Sequence, residues 1–239
     1  MKVVVFDLDE TIGNFQQLGI LWDIMENDYK INRLNKKDIF EILDKFSNLI
    51  RPGFIPLLSQ LKRKNIKTAI FTNNQGPPSW VEMFSNYLTH KIGRNAFNRI
   101  VKSYDNEPCR TSDDKKISDF LNCTKYPKNT KLCFIDDRYH SFMDDKQVYY
   151  IHVKPYEFHY TFDEMIERLM SSRIGNQLVN KISRQTNTPV RETQRELLNT
   201  FHKQIKPYKF RVTKTKISQD DHLVSNEMRK HIQYFLNEF

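Results

Sequence analysis

Hydrophobic residues along the chain occur in short runs that alternate with longer stretches of helical periodicity. The short runs, of which the first is continuous and β-branched, predict five strands, at residues 2–8, 67–72, 99–103, 131–135 and 147–152. The periodic stretches predict helices around them, over residues 18–29, 36–49, 54–64, 80–92 and about 113–121. Strands and helices that alternate in this way form βαβ units. The pattern therefore predicts an α/β fold with a Rossmann-like, doubly wound and mostly parallel five-stranded sheet.

Two parts of the chain lie outside this alternation. Residues 12–50 follow the first strand and predict a small helical insertion, either a cap or a packed pair of helices. Residues 162–170 predict a helix that closes a domain over 1–170. The remaining segment, 171–239, regains helical periodicity at Pro189 and predicts a helical C-terminal extension.

Charge is distributed unevenly between these segments. The whole chain has a net charge of +9, and residues 171–239 hold 13 Lys and Arg against 6 Asp and Glu. Most of the positive excess therefore belongs to the extension. Such asymmetry indicates nucleic acid or an acidic partner, although a solvated helical face would have the same composition.

The apolar runs and the cysteines bear on location. No apolar run approaches the roughly 18 residues that span a bilayer, and Lys2 is followed directly by a strand, without a signal peptide. We therefore expect no membrane association. Cys109, Cys123 and Cys133 lack C-x-x-C spacing and predict neither a zinc site nor a disulfide framework. A reducing compartment, the cytoplasm or the nucleus, is the expected location.

The first predicted strand ends in a pair of acids. Asp7 and Asp9 are two residues apart, so their side chains point the same way at the carboxyl edge of the sheet, where parallel sheets bind ligands. Two carboxylates this close repel each other unless a cation neutralises them. Mg²⁺ prefers oxygen ligands and also binds phosphate oxygens. The pair therefore predicts magnesium and phosphate at one site.

Other strand ends supply matching groups. The fourth predicted strand ends in Asp136 and Asp137, which can bind the same cation. The second ends at Thr72, whose hydroxyl can hold a phosphate oxygen together with the backbone N–H of Asn73. A lysine near the start of the helix after the third strand, with Lys115 preferred, can offset the charge of the phosphate. The predicted site is therefore one for phosphoryl transfer.

These groups resemble the motifs of the haloacid dehalogenase-like (HAD) superfamily. Its phosphatase branches carry Asp-x-Asp-x-Thr, then a Ser or Thr after the second strand, a Lys, and an acidic fourth motif. The chain matches them in family order, with Asp7, Asp9, Thr11, Thr72, Lys115 or Lys116, and Asp136-Asp137. The resemblance covers residues 1 to about 160.

The resemblance implies a role for each matched residue. Asp7 would attack phosphorus and form an aspartyl-phosphate, and Asp9 would protonate the leaving group and then activate water. Thr72 and Lys115 would hold the phosphoryl oxygens. Mg²⁺ would be bound by Asp7, the backbone carbonyl of Asp9, Asp136 and Asp137. The implied activity is magnesium-dependent hydrolysis of phosphomonoesters.

Two branches of the superfamily are similar to this chain. Asp7-Leu8-Asp9-Glu10-Thr11, followed by Arg51-Pro52-Gly53-Phe54, resembles the polymerase-tail (NLI-interacting-factor-like) phosphatases and implies phosphoserine or phosphothreonine in a protein substrate. The fourth motif departs from that branch, because Arg138-Tyr139-His140 follows Asp136-Asp137 where the branch has Ser-Pro. Residues 71–76 are similar to the loop of polynucleotide 3′-phosphatases and histidinol-phosphate phosphatases, with one extra Asn. A nucleic acid or a small molecule is therefore the alternative substrate.

Another class of function shares the same fold. A catalytically inactive HAD-like protein would serve in binding or as a scaffold, but the intact Asp7, Asp9, Thr72 and Asp136 favour an enzyme. The Lys-, Asn- and Ile-rich composition is also similar to that of proteins encoded by large DNA viruses. A viral protein would act in the host cytoplasm.

Overall fold

The computed structural model describes residues 1–27, 36–76 and 79–239. In these ranges the strands are β1 (Lys2–Phe6), β2 (Lys67–Phe71), β3 (Arg99–Val101), β4 (Lys131–Asp136) and β5 (Val148–His152). The helices are α1 (Gln16–Asn27), α2 (Lys36–Lys45), α3 (Phe54–Arg63), α4 (Trp80–Ile92), α5 (Ile117–Thr124), α6 (Phe162–Met170), α7 (Arg173–Thr186), α8 (Val190–Ile205) and α9 (Gln219–Glu238). The end of the first predicted helix, at residue 29, lies outside the described residues.

The described strands form one sheet in the order β3-β2-β1-β4-β5, and every pair is parallel. This confirms the predicted α/β fold with five parallel strands. The strand order reverses at β1, which lies between β2 and β4, so the connections on its two sides diverge and leave a crevice at the carboxyl ends. Phe6 is in register with Ile70 and Ile135. The residues that follow these three positions therefore meet at the crevice.

The core lies on both faces of β1. Residues 3–6 have no exposed surface, as expected for a continuous apolar run in a parallel strand covered on both sides. On one face Val5 belongs to a cluster with Phe120 of α5. On the other, the ring of Phe6 packs edge-to-face against Phe54 of α3, with 5.2 Å between centroids. This packing fixes the end of β1, from which the first acids extend.

The chain divides into two compact units, each of them discontinuous. The first contains residues 1–14, 50–156 and 218–239, and the second contains residues 15–49 and 157–217. This grouping differs from the predicted division into 1–170 and 171–239. In the second unit α1 and α2 pack with α6, α7 and α8, because each helix has an apolar face to bury. Residues 15–49 thus pack with helices that follow the sheet in sequence, and a small cap or insertion over residues 12–50 stays a prediction.

The last helix, α9, belongs to the first unit. The hydroxyl of Ser218 accepts from the N–H of Asp221, and the Asp221 carboxylate accepts from the N–H of Ser218, which forms a capping box. The ring of Phe235 is buried against Tyr149 of β5, and the Tyr149 hydroxyl lies 2.7 Å from Nδ1 of His231. The apolar face of α9 thus packs on the edge strand β5.

In the second unit, α7 is a helix that the hydrophobic pattern did not predict. Ile174, Leu178 and Val179 are buried at helical spacing. The segment was missed because it is polar overall and has a glycine, Gly175, in its first turn. A Cβ at Gly175 would lie 2.2 Å from the carbonyl oxygen of Leu169. Glycine therefore permits the close approach of α7 to the end of α6.

Two expectations about the environment of the chain have different outcomes. No helix in the described ranges combines the length and apolar character of a membrane span. Cys109 and Cys123 form a disulfide, which corrects the prediction that no disulfide is present. Cys109 lies in the loop after β3 and Cys123 lies on α5, so the fold brings together two thiols whose spacing has no local signature. The expectation of a reducing compartment loses its basis, and a cytoplasmic or nuclear location stays a prediction.

Candidate active site

A buried ion-pair cluster lies at the carboxyl ends of β1 and β4. Asp7 follows β1 and is 7% exposed, and Asp136 ends β4 and is 1% exposed. Lys115, from the segment before α5, donates to Oδ1 of Asp7 at 2.5 Å and to Oδ2 of Asp136 at 2.6 Å. An ammonium between two carboxylates offsets part of the cost of burying all three charges. The cluster therefore joins three of the predicted motifs.

The two candidate lysines have different surroundings. Lys115 reaches the carboxylates, whereas Nζ of Lys116 lies 3.3 Å from the hydroxyl of Thr111 and 5.3 Å from the ring centroid of Phe142. Lys116 has extended backbone dihedrals as the N-cap of α5, and adjacent side chains in extended backbone point in opposite directions. The fold thus brings Lys115 to the acids and leaves Lys116 outside the cluster.

Burial governs the acid–base properties of this cluster. Desolvation raises the pKa of Asp7 from 3.8 to about 6, against the attraction of Lys115. Desolvation also raises the pKa of Asp9 from 3.8 to about 6, opposed by a hydrogen bond from Asn74. The pKa of Asp137 is raised by burial and by the nearby charges of Asp7 and Asp136. One lysine therefore leaves an excess of negative charge, which a cation would offset.

Asp136 is the exception among these acids. Burial opposes its ionisation, but hydrogen bonds from His140 and Lys115 and from the N–H of Arg138 lower its pKa. Nε2 of His140 lies 3.3 Å from Oδ2 of Asp136, and the N–H of Arg138 donates to Oδ1 at 2.8 Å. His140, Lys115 and the N–H of Arg138 therefore together favour the ionised form of Asp136.

Three carboxylates form a set that fits a divalent cation. Asp7, Asp136 and Asp137 each place one oxygen so that the three atoms lie within 4.8 Å of one another. The Thr11 hydroxyl fixes Asp137, since it donates to Oδ1 and accepts from the N–H, both at 3.0 Å. Such hard oxygen donors are the ligands that Mg²⁺ binds. The carboxylate of Asp9 is not in this set, and a contribution from its backbone carbonyl stays a prediction.

Asp9 is held instead by the loop after β2. Nδ2 of Asn74 donates to Oδ2 of Asp9 at 2.7 Å, and the N–H of Asn74 donates to the hydroxyl of Thr72 at 3.1 Å. Oδ1 of Asn74 accepts from the N–H of Gly76 at 2.9 Å. One asparagine therefore orients both a predicted acid and a predicted phosphate ligand. The sequence pattern did not predict this role of Asn74. Its position in the Asn-rich loop after β2 was the only local feature that could have indicated it.

The side chain of Asn73 is occupied within the protein. Its Oδ1 accepts from Nη1 of Arg110 at 2.7 Å, and its Nδ2 donates to the carbonyl of Asp113 at 2.9 Å. The predicted phosphate contact through the backbone N–H of Asn73 is compatible with these bonds. The N–H of Thr72 donates to the carbonyl of Val101 at 3.0 Å. Thr72 therefore offers a ligand its hydroxyl and not its N–H.

A buried arginine supports the loop that carries Asp9. Arg51 donates to the carbonyl oxygens of Glu10 and Thr11, both at 2.7 Å, and to that of Lys154 at 2.8 Å. Burial lowers the pKa of Arg51 to about 10, which leaves it charged at neutral pH. Glu10 has φ of 58°, a left-handed conformation that glycine adopts more readily. Arg51 stabilises this turn, and the sequence pattern did not predict that role.

A pocket of about 210 Å³ contains the predicted groups. It is lined by Asp7, Asp9, Glu10, Thr72, Asn73, Asn74, Lys115, Asp136, Asp137, Arg138 and His140. Its walls thus carry carboxylates that suit a cation and basic side chains that suit an anion. The sequence had predicted the acids, Thr72 and the lysine, but not the positions of Arg138 and His140 in the wall.

One comparison with known proteins gives a match over most of the chain. A family model described as NLI interacting factor-like phosphatase matches residues 2–185, a range that includes every residue of the pocket. Among solved structures, a mutant of CbbY from Rhodobacter sphaeroides in complex with xylulose-(1,5)bisphosphate matches at 12% identity, with a TM-score of 0.29, over 61% of this chain and 92% of that chain. A similarity this weak supports no statement about the present chain. No curated protein matches the sequence.

Proposed function

Because the chain belongs to the family of NLI interacting factor-like phosphatases, we propose that it is a magnesium-dependent phosphomonoesterase that works through an aspartyl-phosphate on Asp7. Phosphatase activity follows from the family, and the metal, the intermediate and the substrate are the proposal. The observation that carries it is Lys115 between Asp7 and Asp136, with Asp137 completing a set of carboxylates. A nucleophile, a phosphate-binding cation and a set of metal ligands are thereby available in one pocket.

In the first step, a carboxylate oxygen of Asp7 attacks phosphorus while the bond to the leaving oxygen breaks. This step releases the alcohol and leaves an aspartyl-phosphate. Lys115 and the hydroxyl of Thr72 hold phosphoryl oxygens and offset the charge that develops on them. Asp7, Asp136 and Asp137 would hold Mg²⁺, which would supply charge neutralisation and polarisation of the phosphoryl group.

Asp9 acts as the general acid and then as the general base of the proposed reaction. It protonates the leaving oxygen, and as a carboxylate it then takes a proton from the water that hydrolyses the intermediate. A pKa of about 6, raised by burial, makes both protonation states accessible near neutral pH. The bond from Asn74 occupies Oδ2 of Asp9 at 2.7 Å, which directs proton transfer to Oδ1.

Hydrolysis of p-nitrophenyl phosphate tests this proposal. We expect turnover with Mg²⁺, loss of turnover in EDTA, and loss of turnover in Asp7→Asn with Mg²⁺ present. Asp105→Asn is the matched control, because Asp105 is exposed and outside the pocket, and it should retain the wild-type rate. Equal rates for Asp7→Asn and the wild type would contradict the proposal and would favour an inactive binding or scaffold protein.

For the substrate, we propose phosphoserine or phosphothreonine in a protein. The family match and the sequence around Asp7 and Glu10 support this class, whereas the loop at residues 71–76 supports a 3′-phosphorylated nucleic acid or a small molecule as the alternative. Rates on phosphoserine peptides, 3′-phosphorylated oligonucleotides and sugar phosphates discriminate between them. The highest kcat/KM on an oligonucleotide or a sugar phosphate would contradict the protein substrate.

We also propose that the basic part of the C-terminal segment binds nucleic acid or an acidic partner. Residues 173–217 contain 11 Lys and Arg and 2 Asp and Glu, and Lys206, Lys209, Arg211 and Lys216 are exposed. Binding of a single-stranded oligonucleotide and of an acidic peptide, each at several salt concentrations, tests this proposal. Replacing the four exposed residues with Gln should weaken binding and flatten its salt dependence. Binding that does not respond to this change would contradict it. A viral origin stays a prediction.

A further inference from the structure

One buried arginine lies between the loop after β2 and the segment before α5. Arg110 is 4% exposed, and its guanidinium lies 4.9 Å from the ring centroid of Phe71. Its Nη1 donates to the carbonyl of Thr72 at 3.3 Å, to Oδ1 of Asn73 at 2.7 Å and to the carbonyl of Lys102 at 2.7 Å. Groups that follow two different strands, β2 and β3, therefore converge on one nitrogen.

The other terminal nitrogen of Arg110 holds the segment that leads to Lys115. Nη2 donates to the carbonyl of Asp113 at 2.9 Å and to that of Asp114, the residue directly before Lys115, at 3.2 Å. Nδ2 of Asn73 donates to the same Asp113 carbonyl at 2.9 Å. A single guanidinium, with one amide beside it, thus joins the two segments that carry the proposed phosphate ligands.

We propose that Arg110 is a positioning residue of the phosphatase reaction, which sets the distance between the Thr72 hydroxyl and the Lys115 ammonium. This inference rests on the proposed function. Arg110 is not among the residues that line the pocket, so it acts through Thr72 and Lys115 and does not contact the phosphoryl group.

The shape of the side chain explains why arginine is required here. A guanidinium is planar and donates in several fixed directions, whereas a lysine ammonium is a compact charge at the end of a flexible chain. The two terminal nitrogens of Arg110 donate to acceptors on both segments, which suits the first geometry, although Nε has no partner among the described residues. Lysine at this position would keep the positive charge but could not donate to both segments in the same way.

Loss of Arg110 is expected to destabilise the transition state of the reaction. Thr72 and Lys115 must contact the transferring group at the same time, and small displacements of such groups lower the rate steeply. Separation of the two segments should therefore lower kcat more than it raises KM for p-nitrophenyl phosphate. It should also weaken the binding of inorganic phosphate, which uses the same two groups.

Kinetics of full-length Arg110→Lys with Mg²⁺ test the proposal. We expect kcat/KM to fall roughly 10- to 100-fold, mostly through kcat, with little change in the unfolding midpoint. Arg99→Lys is the matched control, because Arg99 also donates to backbone carbonyls, those of Asn98 and Thr124, but lies outside the pocket. A wild-type rate is expected for Arg99→Lys, and a wild-type rate for Arg110→Lys would overturn the proposal.

A double-mutant cycle separates positioning from a general structural role. If Arg110 acts through Thr72, then Arg110→Lys should cost much less in a Thr72→Ala background than in the wild type. Multiplicative, independent effects on kcat/KM would overturn the proposal. If Arg110→Lys does not fold, Asn73→Ala removes the companion link, and it should lower kcat and phosphate affinity in the same direction; an unchanged kcat would again overturn it.

The outcomes also separate this inference from the proposed function. Wild-type protein without magnesium-dependent turnover would contradict the proposed function itself. Wild-type turnover that Arg110→Lys leaves intact would contradict the positioning role alone.

Discussion

The two ends of the central strands differ in how far their polar side chains are exposed to water. At their amino ends, β1, β2 and β4 each begin with a lysine: Lys2, Lys67 and Lys131. Lys67 and Lys131 are exposed, and Lys2 donates to the carbonyl of Leu236 at 2.8 Å, near the end of α9, where a positive charge suits the helix dipole. Charged side chains at the protein surface contribute little to the free energy of unfolding.

At their carboxyl ends the same strands lead to Asp7, Thr72 and Asp136, which are 7%, 1% and 1% exposed. Buried charges cost several kcal/mol unless they are paired, and Lys115 compensates them only in part, because burial raises the pKa of Asp7 to about 6. Charged side chains at the amino ends of the strands therefore have little effect on stability, whereas the buried cluster at the carboxyl ends destabilises the fold. Binding of the proposed Mg²⁺ and phosphate would offset this cost.

Substitutions at the two ends of β4 sharpen this comparison most. Asp136→Asn removes a carboxylate that would bind the metal, and we expect about a 10³-fold loss of magnesium-dependent turnover, since such a metal contributes several kcal/mol to the transition state. Lys131→Gln, at the other end of the strand, should retain the wild-type rate. Steady-state kinetics on p-nitrophenyl phosphate measure both, and similar losses at the two ends would break the comparison.

Adjacent lysines offer the next test. Lys115→Ala should lower kcat/KM about 10²-fold or more, because the phosphoryl oxygens lose a buried cationic donor. Lys116→Ala should have no effect, because Lys116 lies outside the cluster. The same kinetic assay applies. A larger loss for Lys116→Ala would show that the third motif is placed one residue too early.

A smaller effect is expected at Asn74. Asn74→Ala removes the bond to Asp9 and should lower kcat roughly 10-fold, as the loss of an orienting partner does. The loss should be greater for phenyl phosphate than for p-nitrophenyl phosphate, because the poorer leaving group depends more on protonation by Asp9. Gln75→Ala is the neighbouring control. Equal losses on both substrates would contradict an effect through the general acid.

The smallest effect concerns stability and pH. The folded pKa of Asp7 and of Asp9 is raised from 3.8 to about 6 by burial. The protonated acids therefore favour the metal-free fold below pH 3.8, and this contribution is lost as the pH rises through about 6.

We accordingly expect the Tm of metal-free protein to fall by a few degrees as the pH rises from 3.8 to about 6. This expectation counts only the contribution of Asp7 and Asp9 and takes roughly 2–4 °C for each kcal/mol of free energy of unfolding. Mg²⁺ should raise Tm more at pH 7 than at pH 5, and Asp7→Asn should reduce the pH dependence. Calorimetry measures each quantity. A magnesium effect that is larger at pH 5 would contradict the proposed cause.

The parts of the fold that could be predicted have local signals. A β-branched run such as residues 3–6 indicates a buried parallel strand, and acids that follow such runs, Asp7 and Asp136, fall at the edge where ligands bind. These features depend on residues that are neighbours in sequence. The choice of Lys115 over Lys116 assumed a helix that begins at about residue 113, whereas α5 begins at Ile117 with Lys116 as its N-cap, so the basis of that choice was wrong although Lys115 contacts the acids.

The parts that could not be predicted depend on distant partners. Arg51 contacts Thr11, 40 residues away, and Arg110 contacts Thr72, 38 residues away. A sequence pattern records neither the partner carbonyl nor the burial that makes the contact strong. The disulfide between Cys109 and Cys123 and the pairing of residues 15–49 with 157–217 have the same origin. In each case the fold, and not the spacing, creates the contact.

Chemical trapping of the intermediate tests whether an aspartyl-phosphate forms on Asp7. Protein turning over p-nitrophenyl phosphate with Mg²⁺ is quenched and treated with borohydride, which reduces an aspartyl-phosphate to homoserine, and the peptides are then mapped by mass spectrometry. We expect homoserine at position 7 in wild-type protein and none in EDTA or in Asp7→Asn. Active protein with no modified residue at position 7, or with the modification at another acid, would contradict this expectation.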